Sequence, residues 1–301
     1  MGTPDFAVPS LQILHESVHE VVAVVTATDK YGGRGGKKLI QSAVKQYAVA
    51  ADIPVLQPKN LKAEAFVAEL ASYKADVQIV VAFRMLPVIV WDMPEHGTWN
   101  LHGSLLPRYR GAAPINWAVA NGDDVTGVTS FKLKHEIDTG AILYQETMPI
   151  GSYDTAGDVY GKLMHLGAQV VLKTADTIAT GQYELLPQDE AAVSKAPKVY
   201  KETCELSFDQ PVVQVYNFVR GMSPYPAAWT MVDGKEFKII RAEISDETAT
   251  EAPGTLITDN KRYLKFACTD GYLVCTEVKM AGKKQMDVKS FLNGYTVEVE
   301  G

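Results

Sequence analysis

Residues 19–27, a strand candidate, contain Val21-Val22-Ala23-Val24-Val25, apolar at every position, and residues 76–83 carry Val77, Ile79, Val80 and Val81. A strand with one wet face alternates apolar and polar residues, whereas a continuous β-branched run belongs to a strand covered on both faces. Such runs demand a sheet with a layer on each side, and the intervening segments supply those layers. Residues 4–17, with Leu11 and Leu14 on one face, read as a helix before the first run. Residues 39–51 and 61–73 are helix candidates, with a short strand at 53–56 before Pro58. The alternation continues with a helix at 86–91, a strand at 98–102, a helix at 113–121, and strands at 125–133 and 142–150. A long helix follows at 156–180, closed by Gly181. Strands separated by helices build parallel β-α-β units, so the first two-thirds of the chain predict an open, mostly parallel α/β sheet. Sheets of this kind carry their sites at the carboxyl ends of strands.

The character changes later. Residues 188–205 are polar, contain Pro197 and lack helical periodicity, as a linker does. Residues 231–278 then alternate short apolar runs with the turn pairs Asp233-Gly234, Pro253-Gly254, Asp259-Asn260 and Asp270-Gly271. Strands at that spacing predict a small β-barrel or sandwich. The organisation is therefore a domain over 1–187, a linker over 188–205 and a second domain over 206–301, which suits a chain of 301 residues.

Composition narrows the function classes. No apolar run reaches the ~18 residues of a membrane span, and the N-terminus lacks a basic stretch followed by an apolar one, so a cytoplasmic protein without a secretory segment is expected. Cys204, Cys268 and Cys275 are odd in number and lack metal-type spacing, which predicts reduced thiols and no metal. The formal net charge of −7 counts against a nucleic-acid partner. Two local basic groups run the other way: Arg34, Lys37, Lys38 and Lys45, and Lys279, Lys283, Lys284 and Lys289. Local patches can make phosphate contacts, but by composition alone a solvated surface is the favoured reading of each.

The chemistry-bearing stretch is Asn100-Leu101-His102-Gly103-Ser104-Leu105-Leu106-Pro107-Arg108-Tyr109-Arg110-Gly111-Ala112-Ala113-Pro114-Ile115. On a strand, Asn100 and His102 share a face because side chains alternate. An amide beside an imidazole can grip an oxygen that gains negative charge; the same pair also suits a strand terminus meeting its own hydrogen-bond needs. Further on, His135-Glu136-Ile137-Asp138-Thr139-Gly140 places a carboxylate in a turn. Asp138 there either caps the turn or reaches an imidazole and favours its charged form. Asn, His and Asp together would form an acid-base and oxyanion-stabilising set without a covalent nucleophile. The glycines of Gly32-Gly33-Arg34-Gly35-Gly36 fit neither phosphate-loop spacing, and a substrate-docking loop accounts for them better.

The Asn-x-His-x-Ser-Leu-Leu-Pro-x-x-Arg-Gly-Ala-Ala-Pro-Ile run, with Asp138-Thr139-Gly140 after it, resembles the 10-formyltetrahydrofolate-dependent formyltransferases. Gly2-Thr3-Pro4-Asp5-Phe6-Ala7, Ala196-Pro197-Lys198, Asn217-Phe218-Val219-Arg220-Gly221, Pro224-Tyr225-Pro226-Ala227-Ala228-Trp229-Thr230, Pro253-Gly254-Thr255 and Ala281-Gly282-Lys283-Lys284-Gln285-Met286 extend the likeness along the chain. These matches single out the methionyl-tRNA formyltransferases. The resemblance implies a Rossmann-like sheet domain followed by a small OB-like β-barrel domain that contacts tRNA. It implies a catalytic triplet of Asn100, His102 and Asp138, a tetrahydrofolate-lining segment of Ser104, Leu105, Leu106 and Pro107, and tRNA contact by Arg34, Lys37 and Lys38. The implied activity is transfer of the formyl group of 10-formyltetrahydrofolate to the α-amine of initiator methionyl-tRNA, by a monomer.

Three departures from the family pattern carry expectations. The chain opens at Gly2-Thr3-Pro4, where the family usually has a preceding strand, so a gap at the sheet centre with two exposed edges is expected, either because that strand lies outside this chain or because the fold tolerates its absence. Phe83-Arg84-Met85 replaces a Tyr-Gly pattern, which predicts a differently shaped loop, and Glu136 adds a charge near Asp138. The rival readings are a formyltransferase acting on a small amine (glycinamide ribonucleotide or an amino-sugar nucleotide), a formyl-folate hydrolase, and a non-catalytic tRNA- or folate-binding protein.

Overall fold

The computed structural model describes residues 1–32 and 36–298. In chain order, the first part contains α1 (Val8–His15), β1 (Val24–Val25), β2 (Lys30–Gly32), β3 (Lys38–Ile40), α2 (Ala43–Ala50), β4 (Val55–Leu56) and α3 (Glu64–Ser72). Next come β5 (Gln78–Val81), α4 (Val88–Trp91), β6 (Thr98–His102), β7 (Arg110–Gly111), α5 (Pro114–Ala120), β8 (Val125–Lys132), β9 (Ile142–Pro149) and α6 (Ala156–Thr180). The last part has β10 (Lys195–Ala196), α7 (Val212–Met222), β11 (Ala228–Val232), β12 (Lys235–Ile244), β13 (Leu256–Thr258), β14 (Leu264–Ala267), β15 (Tyr272–Met280), β16 (Met286–Asp287) and α8 (Val288–Asn293).

The chain forms two compact units. The first comprises residues 1–111, 126–148 and 160–195. Here β1 runs parallel to β4, and β5 runs parallel to β6, while β8 joins β6 antiparallel in a sheet ordered β5-β6-β8-β9. The strand expected over 19–27 shrinks to Val24–Val25. Strand propensity extends further, but its partner β4 is only two residues long, pairing Val24 with Val55 and Val25 with Leu56, and the last bond to it comes from the Thr26 N–H to the Leu56 carbonyl (3.0 Å). The gap expected at the sheet centre is bridged in part by residues 1–3. The Val81 N–H donates to the Met1 carbonyl (2.9 Å), the Gly2 N–H donates to the Val25 carbonyl (3.1 Å), and Gly2 pairs parallel with Val81. Beside them lies a cavity of about 490 Å³, lined by Val22, Val24, Gln78, Ile79 and Ile178 among others. Burial there pushes the Met1 amino group down to about 5.

The helix expected over 39–51 is a correction. Residues Lys38–Ile40 are instead a strand paired antiparallel with Lys30–Gly32, and the helix begins at Ala43. Its start is set by Ser42, whose Oγ accepts from the Lys45 N–H (3.0 Å) as an N-cap does. The hairpin leaves Tyr31, Leu39 and Ile40 exposed.

The second unit comprises residues 112–125, 149–159 and 196–301. Its antiparallel sheet, ordered β11-β12-β15-β14-β13 with β16 on β15, holds α7 and α8 against one apolar core that includes Phe237, Phe291, Leu264 and Val219. α5 packs on α7 at van der Waals distance. A Cβ on Gly221 would come within 2.6 Å of the Ala120 backbone nitrogen, and the Asn116 amide donates to the Gly221 carbonyl (2.7 Å). Only glycine permits that approach. Among the described residues, no helix is long and apolar enough to cross a membrane.

Candidate active site

The site is built at the carboxyl end of β6. Register places Asn100 between Val80 of β5 and Phe131 of β8, and His102 opposite Thr129. Paired on both sides at Asn100, the strand holds both side chains on one face. The Asn100 side chain is half-buried and makes no hydrogen bond to another described residue, so its amide is available to a ligand. His102 is buried. Its Nε2 lies 2.8 Å from the Tyr109 carbonyl oxygen. A carbonyl can only accept, so this contact places a proton on Nε2.

The other ring nitrogen faces Asp138. Nδ1 of His102 is 3.8 Å from Oδ2 of Asp138, with both side chains largely shielded from solvent. At that separation the pair is within electrostatic range but beyond hydrogen-bond length. Asp138 has a left-handed backbone (φ 54°), unusual for a residue with a Cβ and worth a specific cause. Several bonds hold it: the Gly111 N–H donates to Oδ2 (2.9 Å), and the Gln188 amide donates to the backbone carbonyls of Asp138 and Gly140 (2.8 Å each). Asn100, His102 and Asp138, 38 residues apart from first to last, thus lie around one end of β6.

The segment Ser104–Pro107 forms the adjoining turn, with a cis peptide between Leu106 and Pro107. Ser104 and Leu106 are buried. The Ser104 hydroxyl donates to the Arg108 carbonyl (2.7 Å), and Leu106 packs with Phe131 and Ile142. Leu105 and Pro107 are the part-exposed members. Thr129 ties the turn to β8: its hydroxyl donates to the Ser104 carbonyl (2.6 Å) and accepts from the Leu106 N–H (3.0 Å). Gln145 on β9 donates to the Leu106 carbonyl (2.7 Å). Among the described residues, no cluster of three or more His, Cys, Asp or Glu side chains is placed to hold a metal ion.

Comparison with known proteins gives the family. The formyl transferase family pattern matches residues 1–175, and the formyl transferase C-terminal domain pattern matches residues 198–296. Methionyl-tRNA formyltransferase of Parabacteroides distasonis is 52% identical over 98% of this chain and 94% of its own length. That of Bacteroides fragilis is 50% identical over the same shares. The chain belongs to the methionyl-tRNA formyltransferase family. The fold is also that of WlaRD, a sugar 3N-formyl transferase, at 21% identity with a TM-score of 0.68, covering 94% of this chain and 97% of that one. The WlaRD structure was determined in the presence of dTDP and 5-N-formyl-THF.

Lys37 and Lys38 are exposed on the β2-β3 hairpin, and Arg34 lies outside the described residues. Arg84 donates to the Pro58 and Lys59 carbonyls, tying the loop after β5 to the loop after β4. Glu136 points outward beside Lys134 (3.9 Å), both well exposed, so its charge is solvated. The sequence reading missed Gln188, assigned to a linker, and the roles of Tyr109, Gly111, Thr129 and Gln145. Tyr109 and Gly111 act through backbone groups, which residue type does not report.

Proposed function

We propose that this chain transfers the formyl group of 10-formyltetrahydrofolate to the α-amino group of initiator methionyl-tRNA, using Asn100, His102 and Asp138. The observation that carries the reading is the free Asn100 amide beside His102 on one face of β6, with the Asp138 carboxylate 3.8 Å behind the ring. The methionyl amine attacks the formyl carbon, forming a C–N bond and a tetrahedral oxyanion. The Asn100 amide donates to that oxygen as charge develops, which is where a preorganised donor lowers the barrier most, and the His102 ring beside it, its Nε2–H held by the Tyr109 carbonyl, adds positive charge when it carries the transferred proton. Collapse breaks the bond to folate N10, and the proton lost by the amine passes to N10, with His102 as carrier. A ring that takes a second proton on Nδ1 meets the Asp138 carboxylate, while Nε2–H keeps the Tyr109 carbonyl. Asp138 therefore orients and stabilises the charged ring.

Leu105 and Pro107 supply the folate-facing wall, and Ser104 and Leu106 brace it from within. The folate donor is supported by the 5-N-formyl-THF in the WlaRD structure, and the acceptor by the names of relatives at about half identity. Lys37 and Lys38 on the exposed hairpin approach tRNA phosphates, and Arg34, outside the described residues, is proposed to share that role. The domain over 1–187 carries catalysis, and the one over 206–301 helps to hold tRNA, in a cytoplasmic monomer.

The test is a formylation assay with 10-formyltetrahydrofolate and initiator methionyl-tRNA, with glycinamide ribonucleotide and acceptor-free arms alongside. Formyl-methionyl-tRNA should appear only with the tRNA and be lost in His102→Ala. Formate release without acceptor, or transfer to the small amine, would overturn the acceptor assignment.

A further inference from the structure

Asp138 stands on a loop whose neighbours Lys134, His135, Glu136 and Ile137 are exposed, and a left-handed backbone there persists only where the surroundings impose it. The imposing group is Gln188. Its Nε2 donates to the carbonyls on both sides of the turn, Asp138 and Gly140, at 2.8 Å each. Its Oε1 accepts from Nε (3.0 Å) and Nη2 (2.7 Å) of Arg110. Arginine only donates and a carbonyl only accepts, so the amide has one permitted orientation and all its contacts are satisfied in it. Arg110 is held in turn by a two-pronged pairing with Glu190, at 2.8 Å and 3.0 Å, and this neighbour holds the exposed Glu190 carboxyl below its usual range. Arg110 also precedes Gly111, whose N–H holds the Asp138 carboxylate itself. The relay Glu190–Arg110–Gln188 thus fixes the carbonyl end of Asp138, and the backbone beside Arg110 fixes its carboxylate end.

We propose that Gln188 and Arg110 are positioning residues for formyl transfer, acting through Asp138 on His102. This rests on the catalytic reading of Asp138 given above. Gln188→Glu is the discriminating variant. It keeps the shape and an oxygen that accepts from Arg110 but puts a carboxylate oxygen where the amide donated to the two carbonyls, so the turn is released without a cavity or an unpaired guanidinium. Arg110→Lys is the second variant, because an ammonium cannot reproduce the fork that orients the amide.

Steady-state kinetics on initiator methionyl-tRNA, thermal unfolding and a double-mutant cycle with Asp138→Ala test the proposal. In both variants kcat should fall about ten- to a hundredfold, the range that a displacement of about 1 Å produces. KM for tRNA and the unfolding temperature should change little. In the Asp138→Ala background the same substitutions should cause no further loss, as expected of residues acting through one group. Unchanged kcat in Gln188→Glu and Arg110→Lys, or losses that simply multiply with that of Asp138→Ala, would overturn it while leaving the role of Asp138 intact. Full activity in Asp138→Ala alone would instead overturn the catalytic reading and this proposal with it.

Discussion

Gly140 closes the Asp138-Thr139-Gly140 turn, and replacing it by alanine tests the tolerance of the site in a single methyl group. A Cβ at this position would lie 1.7 Å from the Lys132 carbonyl oxygen and 2.8 Å from Cδ2 of Phe131. Ordinary contact starts at 3.4 Å, so the methyl falls short by 1.7 Å. One side must move. Lys132 closes β8 and is in register with Trp99 of β6, and Phe131 is fully buried opposite Asn100. Displacing β8 would break sheet pairing and core packing together. The loop is the softer side, since residues 134–137 are exposed.

A loop shift of 1 Å or more carries Asp138, two residues away, off its position near His102. Displacement on this scale costs about a hundredfold in rate, which is ~2.7 kcal/mol of transition-state stabilisation. Overpacking adds ~1–3 kcal/mol of lost stability. Gly140→Ala should therefore lose about two orders of magnitude in kcat/KM for formyl transfer while still unfolding cooperatively at a lower temperature. The two readouts are steady-state formylation at saturating folate and a thermal melt. A variant within twofold of the parent in kcat/KM, with the same melting temperature, would refute the claim that β8 and the turn are locked together.

Other positions give independent checks. Gly161 lies inside α6 with nothing within 4 Å of a built Cβ, so Gly161→Ala should stabilise by up to ~1 kcal/mol in denaturant titration, the helix cost of glycine. Burial pushes the Cys268 thiol up to about 11 and raises those of Cys204 and Cys275; all three should resist a thiol-specific reagent at pH 8 in the native protein and react on unfolding. The Lys201 ammonium holds the Glu236 carboxyl below its ordinary 4.5. That contribution is present above 4.5 and is lost as pH falls through the depressed value, so Glu236→Gln should lower the melting temperature at pH 7 and much less near pH 3.

What could be read from the sequence depended on whether local pattern or long-range pairing decided the outcome. β6 matches its predicted span, and α6 runs over the predicted 156–180 with Gly181 in the left-handed conformation at its end (φ 67°). In both, side-chain period and termination chemistry lie within the segment itself. The strand predicted over 19–27 and the helix predicted over 39–51 both changed because a partner decided them. β1 extends only where pairing is available, and the apolar Leu39 and Ile40 went to a hairpin with Lys30 and Tyr31. Asn100 and His102 were legible as a pair through strand alternation. The approach of Asp138 to His102 was not, since it depends on a left-handed residue without glycine and on the side chain of Gln188, 50 residues further on.

The two halves of the site differ in what keeps them in place. Asn100 and His102 ride on a strand set between β5 and β8, so moving either requires disturbing a sheet whose core includes Trp99, Phe131 and Leu101. Asp138 stands on a loop, and its position is a sum of separate contacts: Gly111 on the carboxylate, Gln188 on the backbone and the bare Cα of Gly140 against β8. Losing one of several contacts displaces a group by about an ångström, whereas losing strand pairing unfolds it. Substitutions around β6 should therefore appear mainly as lost stability, and substitutions around Asp138 mainly as lost kcat in protein that still folds. On the proposed mechanism, sensitivity of turnover to distant change should be concentrated on the carboxylate side of the imidazole.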